Sequence, residues 1–214
     1  SAQVDGDVVN EDSNYDEGFW TEVGRSVDGV RGHVVSRTKK TAFEAATAMA
    51  FVVHRNNEAT AVATRTEERE LFVASVFDLD VAAGETIEIV KFGANVTSRD
   101  APPAELVARA HAELDDASAI GFEELRAEHR AAWEQKWKIS DVVVEGDLTL
   151  QQGLRFNIFQ LNSTFTGEDP DLNIGPKGFT GEKYGGVTYW DTEAFCLPFY
   201  LATSEAGVAK NLLR

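Results

Sequence analysis

The residues with the clearest chemical pattern lie between positions 176 and 199, in PKGFTGEKYGGVTYWDTEAFCLPF. Its glycines allow tight turns and the close approach of a ligand to the backbone. Trp190 and Asp191 are adjacent, so an aromatic face and a carboxylate are offered together. An aromatic ring stacks on the apolar C–H side of a pyranose, and a carboxylate accepts hydrogen bonds from two vicinal hydroxyls. The pattern therefore predicts a sugar-binding site.

Four further side chains of this segment are weaker candidates for contacting the same sugar, namely Phe179, Lys183, Tyr184 and Glu193. A structural alternative fits the pattern equally well: Asp191 or Thr192 caps the next helix while Trp190 packs in the core. Phosphate binding by this glycine-rich loop is disfavoured, because neither GxGxxG nor GxxxxGK[ST] is present.

Metal and cofactor chemistry is not indicated. The four histidines are scattered and show no ligand spacing such as HExxH, so we expect surface or packing roles for His33, His54, His111 and His129. NEDSNYDE lacks the glycine and the closing glutamate of an EF-hand loop, which favours turn chemistry over calcium binding. We expect no metal site and no cofactor.

The elements that position the candidate site change in character along the chain. Residues 23 to 96 contain short apolar or alternating runs rich in Val, Thr, Ile and Phe, which predict an antiparallel sandwich. These runs are HVVSRT, TAMAFVVH, ATAVATRT, ELFVASVFDLDV and TIEIVKF, and the last two are separated by a loop at Gly84. Residues 1–20 are more polar and predict a loop or an edge strand.

Helices are predicted after Pro102 and Pro103. The first places Leu106, Ala110 and Leu114 on one face, and the second places Trp133 and Trp137 on one stripe, where packing is the expected role. Asp147 is the predicted N-cap of a third helix, which is the most apolar and is expected to be deeply buried. Two more helical stretches, 192–202 and 204–214, are predicted, with Pro198 as a possible kink.

Composition limits the partners. The net charge is −16, with 20 Lys and Arg against 36 Asp and Glu, which argues against nucleic acid and against an anionic membrane surface. No apolar run approaches the roughly 18 residues of a membrane span, and the first residues do not resemble a signal peptide. The single cysteine suits a reducing compartment, so we expect a soluble, cytoplasmic protein.

Four stretches resemble glycoside hydrolase family 65. GPKGFTGEKYGGVTYWDTEAFCLPFYLA resembles the start of the family's catalytic barrel, and VDGDVVNEDSNYDEGFW and SRTKKT resemble parts of its N-terminal β-sandwich. HRAAWEQKWKISDVVVEGD resembles its helical linker. The resemblance covers nearly the whole chain in the family's order.

This resemblance implies a β-sandwich at residues 1–101 that lacks its first strands, a helical linker at 102–145, and the start of a truncated (α/α)6 barrel at 146–214. It also implies a longer parent enzyme, an N-terminal piece of which would be inactive alone. Members of the family are usually homodimers.

The resemblance further implies an inverting phosphorolysis of an α-glucosidic disaccharide, closest to the members that act on maltose. Inorganic phosphate is the co-substrate, and the products are β-D-glucose 1-phosphate and D-glucose. Trp190 and Asp191 match the pair that holds the glucosyl unit, so Asp191 is a binder and not the general acid. The acid and the phosphate ligands are expected beyond Arg214, and no catalytic residue is expected within this chain.

Rival interpretations remain open. One is a non-catalytic carbohydrate-binding or assembly module in which the sandwich is the functional part. Another is a hydrolase of the same family, or a phosphorylase of nigerose, kojibiose or trehalose, because the loops that select the second sugar are mostly outside these residues.

Overall fold

The computed structural model describes residues 2–5, 20–175, 178 and 188–213. Within these residues the strands are β1 (Ala2–Asp5), β2 (Trp20–Asp28), β3 (Arg31–Thr38), β4 (Glu44–Arg55), β5 (Glu58–Ala59), β6 (Arg65–Arg69), β7 (Phe72–Val76) and β8 (Ile87–Thr97). The α-helices are α1 (Leu106–Ile120), α2 (Phe122–Ser140), α3 (Leu148–Thr164), α4 (Leu197–Thr203) and α5 (Ala206–Leu212). The described chain divides into two compact units, the first ending at Leu125 and the second continuing from Arg126.

The first unit is built on two antiparallel sheets. One has the strand order β1-β7-β6, and the other has the order β2-β3-β4-β5 with β8 paired to β4. Met49 and Phe51 of β4 and Val73 of β7 are almost fully buried in one apolar cluster, to which both sheets contribute. This arrangement and the helices that follow confirm the predicted fold class, an antiparallel sandwich followed by helices.

The alternation along β4 explains how the sheet is covered on both faces. Met49, Phe51 and Val53 belong to the cluster between the sheets, whereas Ala46 and Ala48 belong to a second cluster with α1. Side chains of a strand point alternately to opposite faces, so one strand supplies both clusters. The small alanines allow α1 to approach the sheet closely.

Helix α1 follows Pro102 and Pro103, as the sequence predicts. A short 3-10 turn at Pro103–Glu105 leads into it, and Leu106, Ala110 and Leu114 form its buried stripe. The helix ends before Gly121, whose φ of 84° is a conformation that glycine adopts without steric cost.

Two details of the β region differ from the prediction. Strand β2 was not predicted, because TEVGRSVD is polar and contains a glycine, as is typical of an edge strand. The run ATAVATRT, predicted as one strand, is wrong as such: only its ends belong to β5 and β6. Strands β7 and β8 do flank Gly84, but they belong to different sheets.

In the second unit, α2 and α3 are joined by a connector that α3 itself holds in place. Asp147 caps α3 by accepting a hydrogen bond of 2.9 Å from the Leu150 backbone N–H, as predicted. Gln151 of α3 accepts from Val144 N–H at 2.7 Å and donates to the Val142 carbonyl at 2.9 Å. Arg155 also pairs with Asp141 through two hydrogen bonds.

The expectation that α3 is deeply buried is wrong for the described residues. Leu148 is 83% exposed and Phe156 is 58% exposed, whereas the buried positions are Gln151, Ile158 and Asn162. The polar residues occupy covered positions because they bond to backbone groups there, Gln151 to the connector and Asn162 to the Ile158 carbonyl. Several apolar side chains of α3, among them Leu148, Leu150 and Phe156, are therefore exposed.

The last helices pack around Tyr200. It is fully buried with Phe165, Ile174, Ala209 and Leu212, and its hydroxyl donates a 2.6 Å hydrogen bond to the Leu161 carbonyl. Both predicted helical stretches are present, but a π-helical turn, Thr192–Cys196, precedes α4. Pro198 lies in the first turn of α4, where its missing N–H is tolerated. None of the helices in the described ranges is long and apolar enough to cross a bilayer.

Candidate functional site

Trp190 and Asp191 lie where the chain enters the π-helical turn. Trp190 is 72% exposed, so it does not pack in the core. Asp191 is also exposed and, among the described residues, its side chain makes no capping hydrogen bond to the helix. The structural alternative raised by the sequence, a packed Trp190 with Asp191 or Thr192 as the helix cap, is therefore not what the fold shows, because the Thr192 hydroxyl bonds to the Ile174 carbonyl instead. Both side chains are available to a ligand.

The neighbouring Thr192 fixes this helix start to the core. It is 3% exposed, and its hydroxyl donates a 3.0 Å hydrogen bond to the carbonyl of Ile174, which is itself buried. Its backbone N–H donates to the Tyr189 carbonyl at 3.2 Å. Because Thr192 is anchored from both backbone and side chain, the two preceding residues start from a defined position.

Of the four weaker candidates, the structure describes Glu193. Glu193 is exposed in the first helical turn, two residues beyond Asp191. Phe179, Lys183 and Tyr184 lie outside the described residues, so their placement relative to Trp190 stays a prediction.

Two features adjoining Trp190 were not predicted as functional. Phe195 is 70% exposed, and its ring lies 6.4 Å from that of Trp190, with an angle of 38° between the ring planes. The second feature is the π turn, which brings the two rings together. Sequence patterns assume 3.6 residues per turn, so they do not predict a contact that depends on the wider π turn.

Cys196 is not placed for nucleophilic chemistry. Burial raises the pKa of its thiol, and the negative charges of Asp191 and Glu193 raise that pKa further. The thiolate, which is the reactive form, is therefore disfavoured at neutral pH. The described part of the chain also contains no group of three or more His, Cys, Asp or Glu side chains that is arranged to hold a metal ion.

The histidines are scattered in sequence, but two of them meet in the first unit. His33 Nδ1 of β3 lies 3.0 Å from His111 Nε2 of α1. Arg31 flanks the pair, since it donates to the His111 carbonyl at 3.2 Å and forms a 2.6 Å ion pair with Asp115. No local pattern predicts this contact, because the partners are 78 residues apart.

Another concave feature of the first unit is a cleft of about 670 Å³ where α1 ends over β4 and β8. Its lining combines the aromatic side chains Phe92 and Phe122 with the carboxylates of Glu88, Glu123 and Glu124. The cleft does not include Trp190 or Asp191. It is a second place with both stacking surfaces and hydrogen-bond acceptors.

Comparison with known proteins identifies the family. Residues 1–136 match the model for the N-terminal domain of glycosyl hydrolase family 65, and residues 155–214 match the model for its central catalytic domain. The chain is 42% identical to "Maltose phosphorylase" of Bacillus subtilis (strain 168) over 210 residues, which are 98% of this chain and 27% of that protein.

Two other relatives agree. The chain is 35% identical to "Alpha,alpha-trehalose phosphorylase" of Thermoanaerobacter brockii, over 98% of this chain and 28% of that protein. Its fold matches the solved structure of a "Putative kojibiose phosphorylase from human microbiome" with a TM-score of 0.80, over 99% of this chain and 27% of that one, at 24% identity.

The chain thus spans about a quarter of the length of the curated relatives it matches, and it does so with both the sandwich and the first catalytic segment in the same order. The resemblance of residues 4–20, 36–41, 129–147 and 175–202 is confirmed at the level of the family. The chain belongs to glycosyl hydrolase family 65.

Proposed function

We propose that the whole protein is an inverting disaccharide phosphorylase that converts maltose and phosphate into β-D-glucose 1-phosphate and D-glucose. The observation that carries the proposal is the exposed Trp190-Asp191 pair at the helix start, in a chain 42% identical over 98% of its length to a maltose phosphorylase. Neither packing nor capping explains why this pair is presented to solvent.

In the proposed reaction, Trp190 stacks on the glucosyl unit and Asp191 accepts hydrogen bonds from two of its hydroxyls. A general acid protonates the glycosidic oxygen while phosphate attacks the anomeric carbon from the opposite face, which inverts it. Only one protein carboxyl group is needed, because phosphate replaces the activated water and its base. Asp191 is assigned to binding, and the acid is not assigned to any residue of this chain.

The roles of Phe179, Lys183, Tyr184 and Glu193 are proposed as secondary contacts to the sugar. We also propose that the catalytic barrel starts at residue 146, after a sandwich ending at 101 and a linker at 102–145. The family match from residue 155 onwards supports this division. A homodimer and a cytoplasmic location complete the proposal, together with a requirement for phosphate but for no cofactor.

The decisive experiment is an assay of the full-length protein for phosphate-dependent release of glucose from maltose. We expect release with phosphate and none without it. Nigerose, trehalose and kojibiose are assayed in parallel, and preference for one of them would change the substrate but keep the phosphorylase. Hydrolysis that does not depend on phosphate, or no cleavage of any of the four disaccharides, would exclude a phosphorylase. We expect the 214-residue chain alone to be inactive in the same assay.

A second candidate function is carbohydrate binding by the sandwich unit. The cleft at the end of α1, with Phe92 and Phe122 beside three glutamates, is the observation that favours it. Titration of the 214-residue chain with maltose separates the two functions. Binding that is lost in Trp190→Ala and Asp191→Ala places the sugar at the helix start, whereas binding that survives both changes places it elsewhere.

A further inference from the structure

Phe195 and Trp190 form a pair of exposed aromatic rings on the surface of the second unit. Phe195 is 70% exposed and Trp190 is 72% exposed, although each has another aromatic ring as a direct neighbour. Single exposed apolar side chains are common on protein surfaces, but contiguous ones mark places where a ligand or partner binds.

The π turn is the reason why these two rings meet. Residues five apart on an α-helix point about 140° away from each other around the axis, because each residue adds about 100°. In the π turn Thr192–Cys196, the backbone N–H of Leu197 donates to the Thr192 carbonyl, five residues earlier. This wider turn brings Phe195 round beside Trp190. Single π turns inside helices occur frequently at functional sites.

The opposite side of the same stretch is committed to the core. Thr192 and Tyr200 are buried, and Cys196 between them packs against the cluster around Tyr200. Phe195 lies on the surface side instead, and within the described ranges its ring pairs with Trp190 and with neither Tyr200 nor Phe199. Removing this ring therefore leaves the core cluster intact.

The geometry of the ring pair fits two linked sugars better than one. The ring centroids are 6.4 Å apart and the ring planes are inclined by 38°. In a disaccharide, two pyranose rings are joined through one oxygen and are inclined to each other, and each offers an apolar C–H face. An aromatic ring provides a matching surface for such a face.

We propose that Phe195 is a specificity-determining residue that holds the second sugar unit, the one released as free glucose, while Trp190 holds the glucosyl unit that is transferred to phosphate. The inference rests on the proposed phosphorylase function and adds to it the residue that receives the leaving sugar. Phe195 has no hydrogen-bonding group in its side chain, so it fixes the position of that sugar by stacking, and Asp191 fixes the hydroxyls of the other.

The test uses the full-length enzyme in the direction of disaccharide synthesis, in which β-D-glucose 1-phosphate and glucose give disaccharide and phosphate. The two sugars are then separate substrates with separate KM values. In Phe195→Leu, which keeps apolar volume but removes the ring face, we expect the KM for glucose to rise about tenfold, as for the loss of one stacking contact. The KM for β-D-glucose 1-phosphate stays unchanged.

Three comparisons make the result specific. Trp190→Leu shows the reverse pattern, with the larger rise in the KM for β-D-glucose 1-phosphate. Phe195→Tyr keeps the ring and restores the KM for glucose. Phe156→Leu removes an aromatic ring that is 58% exposed on α3, and it changes neither constant.

Unchanged constants in Phe195→Leu, or equal rises of both, overturn the inference while the wild-type enzyme still supports the proposed function. If the wild-type enzyme forms no disaccharide from these two substrates and cleaves none with phosphate, the proposed function fails first, and the inference fails with it. Thermal unfolding of each variant is measured alongside, and a kinetic change that follows the unfolding midpoint instead of the ring also counts against Phe195.

Discussion

At the scale of single residues, Thr192 allows its neighbours to be exposed. A helix start needs buried contacts to be fixed in one position, and here Thr192 supplies them through its hydrogen bond to the Ile174 carbonyl. The exposed side chain of Trp190 and the non-capping side chain of Asp191 are therefore not what holds the helix start in place. The division of labour explains why a threonine lies between two carboxylates in a segment that binds sugar in our proposal.

Thr192→Val tests this role. Valine has nearly the same shape, so the change removes the hydroxyl donor and leaves the buried Ile174 carbonyl without that partner. We expect the free energy of unfolding of the second unit to fall by about 1–3 kcal/mol, the cost of an unsatisfied buried polar group. Urea denaturation followed by the fluorescence of the second unit's tryptophans measures it.

Thr203→Val is the matched control for this change. The Thr203 hydroxyl donates to the Phe199 carbonyl one turn back in its own helix, a contact that adds little to helix stability. We expect this variant to unfold at nearly the wild-type urea concentration. Equal losses in the two variants would contradict the special role of Thr192.

At the scale of elements, α5 is held against the loop after α3 by a glycine. Gly167 has a φ of 76°, and a Cβ placed there would lie 2.6 Å from Val208 Cα of α5. Its carbonyl also accepts a 2.7 Å hydrogen bond from Asn211 of α5. The backbones of the loop and the helix therefore meet at a separation that only glycine allows.

Gly167→Ala is expected to destabilise the second unit strongly. The added methyl group meets the backbone of α5, which has no flexible side chain to move aside, and the positive φ adds strain. We expect a loss of about 2–4 kcal/mol, the sum of overpacking and backbone strain. Gly153→Ala, on α3 with open space at its Cβ, is the control and is expected to keep or increase stability in urea denaturation.

The contact between α1 and β3 is sensitive to pH because two histidines form it. Burial lowers the pKa of His33, and the proximity of His111 lowers it further. Burial also lowers the pKa of His111, the charge of Arg31 adds to this shift, and Asp115 opposes it. Both rings are therefore neutral in the folded protein at pH values where they are partly protonated in the unfolded chain.

The sign of the effect on stability follows from these lowered pKa values. The unfolded chain binds more protons than the folded protein as the pH falls below about 7, since an unperturbed histidine titrates near 6.5. We expect the thermal midpoint of the first unit to fall from pH 7.5 to pH 5.5, and to fall less in the double variant His33→Gln, His111→Gln. The comparison variant is His129→Gln, which lies outside the first unit, and an unchanged slope in the double variant would contradict the assignment.

At the scale of the whole molecule, the sequence predicted most of what depends on neighbouring residues. The stripe of Leu106, Ala110 and Leu114, the cap at Asp147 and the alternation along β4 all result from local periodicity. The pair that we propose to bind sugar was also found in the sequence, because Trp190 and Asp191 are adjacent.

What the sequence did not reveal depends on distant contacts or on irregular backbone. Strand β2 is held by pairing with β3 and not by its own pattern. The contact between His33 and His111 requires the sandwich to place α1 across β3. The approach of Phe195 to Trp190 requires a π turn, which no helical periodicity of 3.6 residues predicts. Residues whose position is set by tertiary structure are the ones that were missed.

The charge of the whole molecule has a consequence that no single contact shows. With a net charge of −16, the average interaction between its charged groups is repulsive, and this repulsion destabilises the folded state. Exposed ion pairs contribute little individually. Salt therefore removes less stability by screening these pairs than it adds by screening the repulsion between the excess negative charges. We therefore expect added salt to stabilise the protein.

Raising NaCl from 20 to 300 mM at pH 7.5 is expected to raise the thermal midpoint by about 2–4 °C, which corresponds to about 1 kcal/mol for a chain of this size. The comparison variant is Glu58→Lys, Glu70→Lys, at two exposed positions of the first unit. Each exchange replaces a negative charge by a positive one, so the two exchanges together change the net charge from −16 to −12. Because less repulsion remains to be screened, this variant has a smaller salt effect, and a midpoint that falls with NaCl in the wild type would show that its ion pairs outweigh its excess charge.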